Sequence, residues 1–456
     1  MSAPTIERLR EQVRGPVIGP DDDEYDAART VYNAMIDRRP AVVVRAANAG
    51  DVIAAVDFAR EAGVDLAVRG GDHSVPGFGT CDDGVVIDLA GMRGVRVDPD
   101  ARTARAEGGA TWGDVNAATH AFGLATTGGI ISTTGVGGLT LGGGIGYLAR
   151  GAGLSIDNLI SADVVTADGR FLVASERQHE DLFWALRGGG GNFGVATALE
   201  FRLHPVSDIY GGPMFFELSD GEALLQWFRD FIADAPEDFG GFPAFQIAPP
   251  LPFIPEDRHG DTFMAFVSCW SGPLEEAETI LKSLRDAAPI VAEHVGPMPY
   301  PMLNSAFDAL VPPGLQHYWK ANFVTELTDE VIAAHLEHGA EVPVVNSTVH
   351  IYPINGACHR VAPQDTAFAH REANFAAVIA GMWPDPAQNE ANTAWVRDYY
   401  ESTAPHSDDA GYINFMADDD RNRIKANYGE NYDRLVEVKR SYDPDNLFHL
   451  NQNIAP

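Results

Sequence analysis

The chain offers little sulfur chemistry. Its 456 residues hold only three cysteines, Cys81, Cys269 and Cys358. They are too few and too scattered for a disulfide framework or a zinc site. Lysine is nearly absent: Lys282, Lys320, Lys425 and Lys439 are all there are. Acidic residues number 65 against 32 basic ones, a formal charge of −33. Such a field repels phosphate, which argues against nucleic acid and anionic membranes as partners. The lysine-poor, acidic balance suits solubility in high salt; it equally fits a genome biased towards Ala, Asp, Arg and Gly. No run approaches the roughly 18 apolar residues that cross a membrane. The opening Met-Ser-Ala-Pro-Thr-Ile-Glu-Arg lacks a basic-then-apolar export pattern, so the expected compartment is the cytoplasm. No internal repeat is evident.

Glycine, by contrast, is plentiful, with 46 residues. A predicted helix (Asp51 to Ala62) and strand (Leu66 to Arg69) lead into Arg69-Gly-Gly-Asp-His-Ser-Val-Pro-Gly77. Gly70 and Gly71 lack the Cβ atoms that would hold the backbone away from a flat ligand. His73 is then presented at a tight turn. Taken alone, a turn histidine is more often an idle surface residue. The stretch Gly135–Gly146 holds seven glycines among twelve residues. Consecutive free N–H groups there would form a nest for a pyrophosphate. Apolar Val136, Leu139, Leu141 and Ile145 set it apart from a flexible linker. A G-x-G-x-x-G pattern occurs at Gly189, Gly191 and Gly194. It follows a predicted helix (His179 to Leu186) and opens a predicted strand (Val195 to Leu203), the reverse of a dinucleotide fingerprint. It reads instead as backbone passing close to a flat ring.

Alternating strands and helices up to Pro205 predict an α/β unit. From Gly211 the texture becomes a mixed sheet covered by helices, with strands at 243–248, 262–268, 319–325 and 344–352. Helices are expected at 220–234, 274–287, 328–339, 364–381 and 388–402.

These motifs, joined by Leu154-Ser-Ile-Asp-Asn158, Val164-Val-Thr-Ala-Asp-Gly169, Tyr412-Ile-Asn-Phe415 and Tyr442 to Asn453, resemble the FAD-linked oxidases of the vanillyl-alcohol oxidase and berberine-bridge-enzyme type. The resemblance implies an α+β fold. Its FAD-binding domain would span 1–206, in subdomains of about 30–95 and 96–206. A substrate domain would span 207–400, and 401–456 would return to the first domain. It also implies FAD bonded covalently through His73. The implied cofactor contacts are Arg69, Gly70, Gly71, Asp72, Ser74, Gly77, Thr133, Thr134, Gly135, Gly137, Gly138, Gly143, Gly144, Gly146, Asn192, Val195, Tyr412, Asn414 and Asn451. Ile131 stands where many relatives carry a second, cysteinyl anchor, so the link is expected to be single. Cys81 reads as an ordinary thiol.

Hydride transfer to a flavin requires a base for the substrate's O–H or N–H proton. Relatives often place a tyrosine where Phe415 stands, and phenylalanine cannot take a proton. Tyr412 remains in the motif. His350 and Tyr352 alternate onto one strand face, with Asn355 just beyond. His350 is the leading candidate base, expected to ionise near the ordinary histidine value of about 6.5. Thr134 matches the position that controls oxygen access in the family. His335 and His338 have i, i+3 spacing, but with no third ligand in sight a solvated helix face is expected, and no metal. The expected activity is oxidation of a CH–OH or CH–NH group of a small or medium organic substrate, with O2 returning H2O2. A flavin monooxygenase or dehydrogenase of secondary metabolism, and a flavin-binding protein without turnover, are the alternatives.

Overall fold

The structure, a computed structural model, describes residues 5–456. Its first sheet is built from β1 (Val42–Arg45), β2 (Leu66–Arg69) and β3 (Val85–Asp88), with α1 (Ala49–Ala62) between the first two. β3 lies in the middle, parallel to both neighbours, and a short strand Val17–Ile18 pairs antiparallel at the β1 edge. The side chain of Asn48 caps α1 by accepting from the N–H groups of Gly50 and Asp51, and Gly63 at φ 66° ends it. Parallel strands are covered on both faces, which is why β1 and β3 read as unbroken valine-rich runs.

The second sheet is antiparallel, in the order β4 (Val95–Asp98), β5 (Thr103–Glu107), β8 (Val195–Arg202), β6 (Leu159–Val165), β7 (Phe171–Ser175). Helices α2 (Trp112–His120), α3 (Val136–Leu141) and α4 (Glu180–Leu186) belong to the same stretch. Thr111 and Asp114 form a reciprocal capping box at the start of α2.

The third sheet carries the order β12 (Ile290–Glu293), β9 (Asp208–Phe216), β11 (Thr262–Trp270), β10 (Phe242–Ile247), β15 (Thr348–Pro353), β16 (Phe375–Trp383), β14 (Gln316–Val324), with β13 (Gly296–Pro299) also on β9. One face packs under α5 (Gly221–Asp234), α6 (Ala277–Ala287), α7 (Asp329–Gly339) and α8 (Asn389–Thr403), burying residues such as Phe228, Phe266, Ile351 and Ile379. The other face carries Phe242, Tyr352, Val378 and Ala380 and meets Tyr147, Tyr412 and Phe415. The chain closes with α9 (Tyr432–Tyr442).

One expectation fails outright. Residues 364–381 are not a helix; Phe375–Trp383 is strand β16, paired on both sides, with β15 and with the edge strand β14. Every residue of it is buried. With both faces covered, the run Phe-Ala-Ala-Val-Ile-Ala-Gly-Met-Trp shows no alternation, and its alanines mimic a helix. Among the described residues no helix is long and apolar enough to cross a membrane.

Candidate active site

His73 sits just beyond β2, on a loop that begins with Asp72 in the left-handed region at φ 64°. Its Nε2 lies 2.9 Å from Thr133 Oγ1 and its Nδ1 3.4 Å from Thr134 Oγ1. Tyr32 stacks on the imidazole at 4.1 Å, with 22° between the planes. The ring keeps some exposed surface, yet the packed surroundings desolvate it and push its pKa down to about 4. The His73 imidazole is therefore neutral at ordinary pH.

The backbone N–H groups of Gly71, Asp72, His73 and Ser74 have no acceptor among the described residues. Successive free amides form a concave anion site. The loop lies directly against Gly135: a Cβ on Gly71 would come within 2.3 Å of Gly135 Cα. The first turn of α3, with Gly137 and Gly138, follows at once. The glycine run is thus not one open nest. Residues 136–141 are helical, the Gly143 N–H bonds Thr140 O at 2.9 Å, and the Gly144 N–H donates to the Tyr412 hydroxyl at 2.6 Å. Free donors lie at 71–74 and, inside the glycine run, at Gly137 and Gly138 in the first turn of α3. Gly143 and Gly144 instead allow close packing of Tyr412 and Ser155, and a Cβ on Gly146 would strike Gly128 O.

The third glycine stretch follows α4 and opens β8 at Val195, as the order of elements required. Asn192 is occupied with holding this stretch to the C-terminal segment: its Nδ2 donates to Gly189 O and Gln452 O, and its Oδ1 accepts from Ile454 N–H. Asn451 donates to Gly191 O at 3.2 Å. Its Oδ1, both amide atoms of Gln452 and Asn453 Oδ1 are buried without partners, as is Asp72 Oδ1. Burial first, and the nearby charge of Asp88, raise Asp72 to about 7 despite Arg69. Orphaned polar atoms and free amides around glycine-lined backbone fit a polar, phosphate-bearing, planar cofactor such as FAD.

Several expected contacts have other employment. Arg69 is buried and turns away from the loop, donating to Asp88 at 2.8 Å and to the carbonyls of Ala28 and Thr30. Ser74 Oγ accepts from Phe78 N–H, and Gly77 at φ 74° closes that turn against Ile36. Asn414 Nδ2 donates to Leu139 O and to the Tyr412 hydroxyl. Tyr412 is therefore buried with two N–H donors on its oxygen, and desolvation holds its pKa at about 12. It locks the glycine run and is poorly placed to accept a proton. Cys81 is buried, donates weakly to Val85 O, and is pushed up to about 12 by desolvation.

On the third sheet, His350 Nδ1 lies 2.5 Å from the Tyr352 hydroxyl, and both rings touch Phe242. His350 Nε2 has no partner among the described residues. Desolvation lowers His350 to about 3, below the expected ionisation near 6.5, although the ring keeps some exposed surface. Tyr352 is pushed far above the ordinary phenol value by the same cause. Asn355 holds Arg150 at 2.7 Å and belongs to a buried scaffold. His335 is buried against the Tyr399 hydroxyl at 2.9 Å rather than solvated; a helix face packed on α8 explains it.

A line of rings joins His73 to His350. Tyr32 lies 5.0 Å from His317, His317 5.8 Å from Trp319, Trp319 6.0 Å from Phe415, and Phe415 6.1 Å from Tyr352. Tyr32, His317 and Trp319 escaped the sequence reading. Tyr32 sits in an unpatterned N-terminal lead. His317 and Trp319 lie on one face of β14, whose expected start at 319 cut off the alternation that would have shown them.

The FAD binding domain model matches residues 40–175, and the berberine and berberine-like model matches residues 411–455. An uncharacterised FAD-linked oxidoreductase of Bacillus subtilis, YgaK, is 31% identical over 458 residues, covering 98% of both chains. The chain belongs to the berberine-bridge-like FAD-linked oxidoreductases. Among solved structures, the family's 6-hydroxy-D-nicotine oxidase from Arthrobacter nicotinovorans matches at TM-score 0.86 and 27% identity, over 97% of this chain and 98% of that one. Glucooligosaccharide oxidase from Acremonium strictum, whose FAD carries cysteinyl and histidyl links, shares the fold at TM-score 0.87 and 22% identity, over 99% of each chain. The protein is an oxidoreductase with an FAD-binding domain, in the α+β fold of these oxidases.

Proposed function

We propose that this oxidoreductase is an oxidase that removes hydride from a CH–OH or CH–NH carbon of a small organic substrate, using an FAD attached through His73 alone and reoxidised by O2 to give H2O2. The supporting observation is the neutral imidazole of His73, fixed between Thr133 and Thr134 beside the free amides of 71–74. An FAD held there would supply the hydride acceptor. Ile131, where relatives carry the second anchor, favours a single link. The proton is assigned to His350. In the tautomer whose Nδ1–H donates to the Tyr352 oxygen, Nε2 keeps a free lone pair for the substrate hydroxyl or amine. Thr134, at one nitrogen of His73, is assigned the control of oxygen access.

Acid precipitation tests the attachment. Colour should stay with the pellet, and peptide mapping should find flavin on the His73 peptide and none on Cys81. Yellow supernatant, or a flavinylated cysteine, overturns the single histidyl link. Anaerobic bleaching by a substrate, followed by peroxide on readmitting oxygen, tests the oxidase assignment; reduced flavin that oxygen reoxidises only slowly points to a dehydrogenase.

A further inference from the structure

The strand register of the third sheet describes the substrate. On the face opposite the helices, β16 places small residues in the middle: Ala376, Val378 and Ala380. Tyr352 and His350 of β15 stand opposite Ala376 and Val378 on one side. Trp319 of β14 stands opposite Ala380 on the other. The result is a trough with a small-residue floor and aromatic walls. Phe415 touches both Tyr352 and Trp319, strands apart, so its ring lies across the trough over β16. A flat apolar surface separates two polar ends. At one end are His350 and Tyr352. At the other are Trp319 and His317, and these lack partners: Trp319 Nε1 and both ring nitrogens of His317 are buried without a hydrogen bond. His317 is only 2% exposed. A buried imidazole with neither nitrogen satisfied is costly unless something else fills the gap. No Asp, Glu, Lys or Arg lies on this face of β14, β15 or β16; Lys320 alternates to the other face and pairs with Asp419.

We propose that His317 and Trp319 form a docking subsite for the far, non-reacting polar end of a flat, neutral aromatic substrate, whose reacting end lies against His350 and Tyr352 with its ring on Phe415. This rests on the oxidase reading only for which end reacts. A chain of sugars suits the trough less, because Phe415 and Val378 leave its middle without hydrogen-bonding groups.

The test is an anaerobic titration of the intact flavoprotein with 4-hydroxybenzyl alcohol, benzyl alcohol and cellobiose. Displacement of the flavin absorbance bands reports binding, and bleaching reports reduction. The phenol should bind about 3- to 10-fold tighter than benzyl alcohol, the span of one neutral hydrogen bond. Trp319→Phe keeps an aromatic ring and removes the N–H; it and His317→Gln should each shrink that ratio. Binding without bleaching would refute the oxidase reading and leave the subsite standing. A ratio unchanged in both variants overturns the subsite, as does His317→Gln losing attached flavin at an unchanged ratio, which assigns His317 to the cofactor. Displacement by cellobiose alone, or by none of the three, overturns the aromatic class.

Discussion

Phe415 is the residue on which the chemistry turns. A phenylalanine cannot accept a proton, and Tyr412 has its oxygen occupied by the Gly144 and Asn414 N–H groups. The unpartnered Nε2 of His350 is the acceptor at the Tyr352 end of the trough, where the reacting end of the substrate is placed. His350→Ala should lower flavin reduction about 10²-fold, the scale of losing a positioned base. Phe415→Tyr added to His350→Ala should recover part of that loss, because the new hydroxyl would stand between Tyr352 and Trp319. Stopped-flow reduction of both variants decides it, and an unimpaired His350→Ala makes the histidine structural. The wild-type rate should show no acid limb near the free histidine value, since burial holds His350 at about 3. Thr134→Val keeps nearly the same volume and removes the hydroxyl beside His73. Reoxidation by O2 should slow more than reduction does; equal slowing of both half-reactions removes the gating role.

At the scale of elements, the sequence announced most of what local rules control. Helix α1 and strand β2 ended where their caps and glycines said, and the 189–194 motif was recognised as helix-to-strand from order alone. β16 was misread because burial on both faces erases periodicity. Counting glycines could not tell the free N–H groups of Gly137 and Gly138 from those that the helix or Tyr412 occupies, nor show the free amides at 71–74. His317 and Tyr32 were invisible for another reason: each matters through a partner far along the chain. The C-terminal segment illustrates such long-range dependence. Lys439 and Asp443, one turn apart on and just past α9, form a fully buried pair at 2.6 Å. Lys439 also donates to Asn192 O and Phe448 O, and Asp443 accepts from the N–H groups of Leu447 and Phe448. Desolvation lowers the Lys439 pKa, only partly offset by Asp443. Removing the ammonium strands a buried carboxylate, so Lys439→Met should destabilise by about 3–5 kcal/mol, read from the urea midpoint. A change under about 1 kcal/mol, the scale of exposed pairs, would show that the pair is solvated.

The whole molecule combines a strongly negative charge with desolvated, neutral histidines, and the two respond to acid in opposite ways. His317, His335 and His350 are held at about 3, 4 and 3, with desolvation as the first cause in each. Unfolded, they would titrate near 6.5. Between those values the unfolded chain binds protons that the folded chain refuses, so stability is full above about pH 6.5 and falls as the pH drops towards the folded values. From about pH 7 to about pH 5.5 the loss is about 1 kcal/mol per histidine. The formal charge of −33 acts the other way, because protonating carboxylates relieves repulsion. Carboxylates titrate near 4, so the histidines should govern the first part of the acid limb. Salt separates the two effects: it screens surface repulsion but not the desolvation of a buried imidazole. The urea midpoint should therefore fall between about pH 7 and 5.5 at both low and high salt. His335→Phe, away from the trough, should flatten that fall by at most about a quarter, since His73, also held at about 4, adds to it. A midpoint that rises on acidification at low salt would show that charge repulsion, not the buried imidazoles, sets the molecule's response to pH.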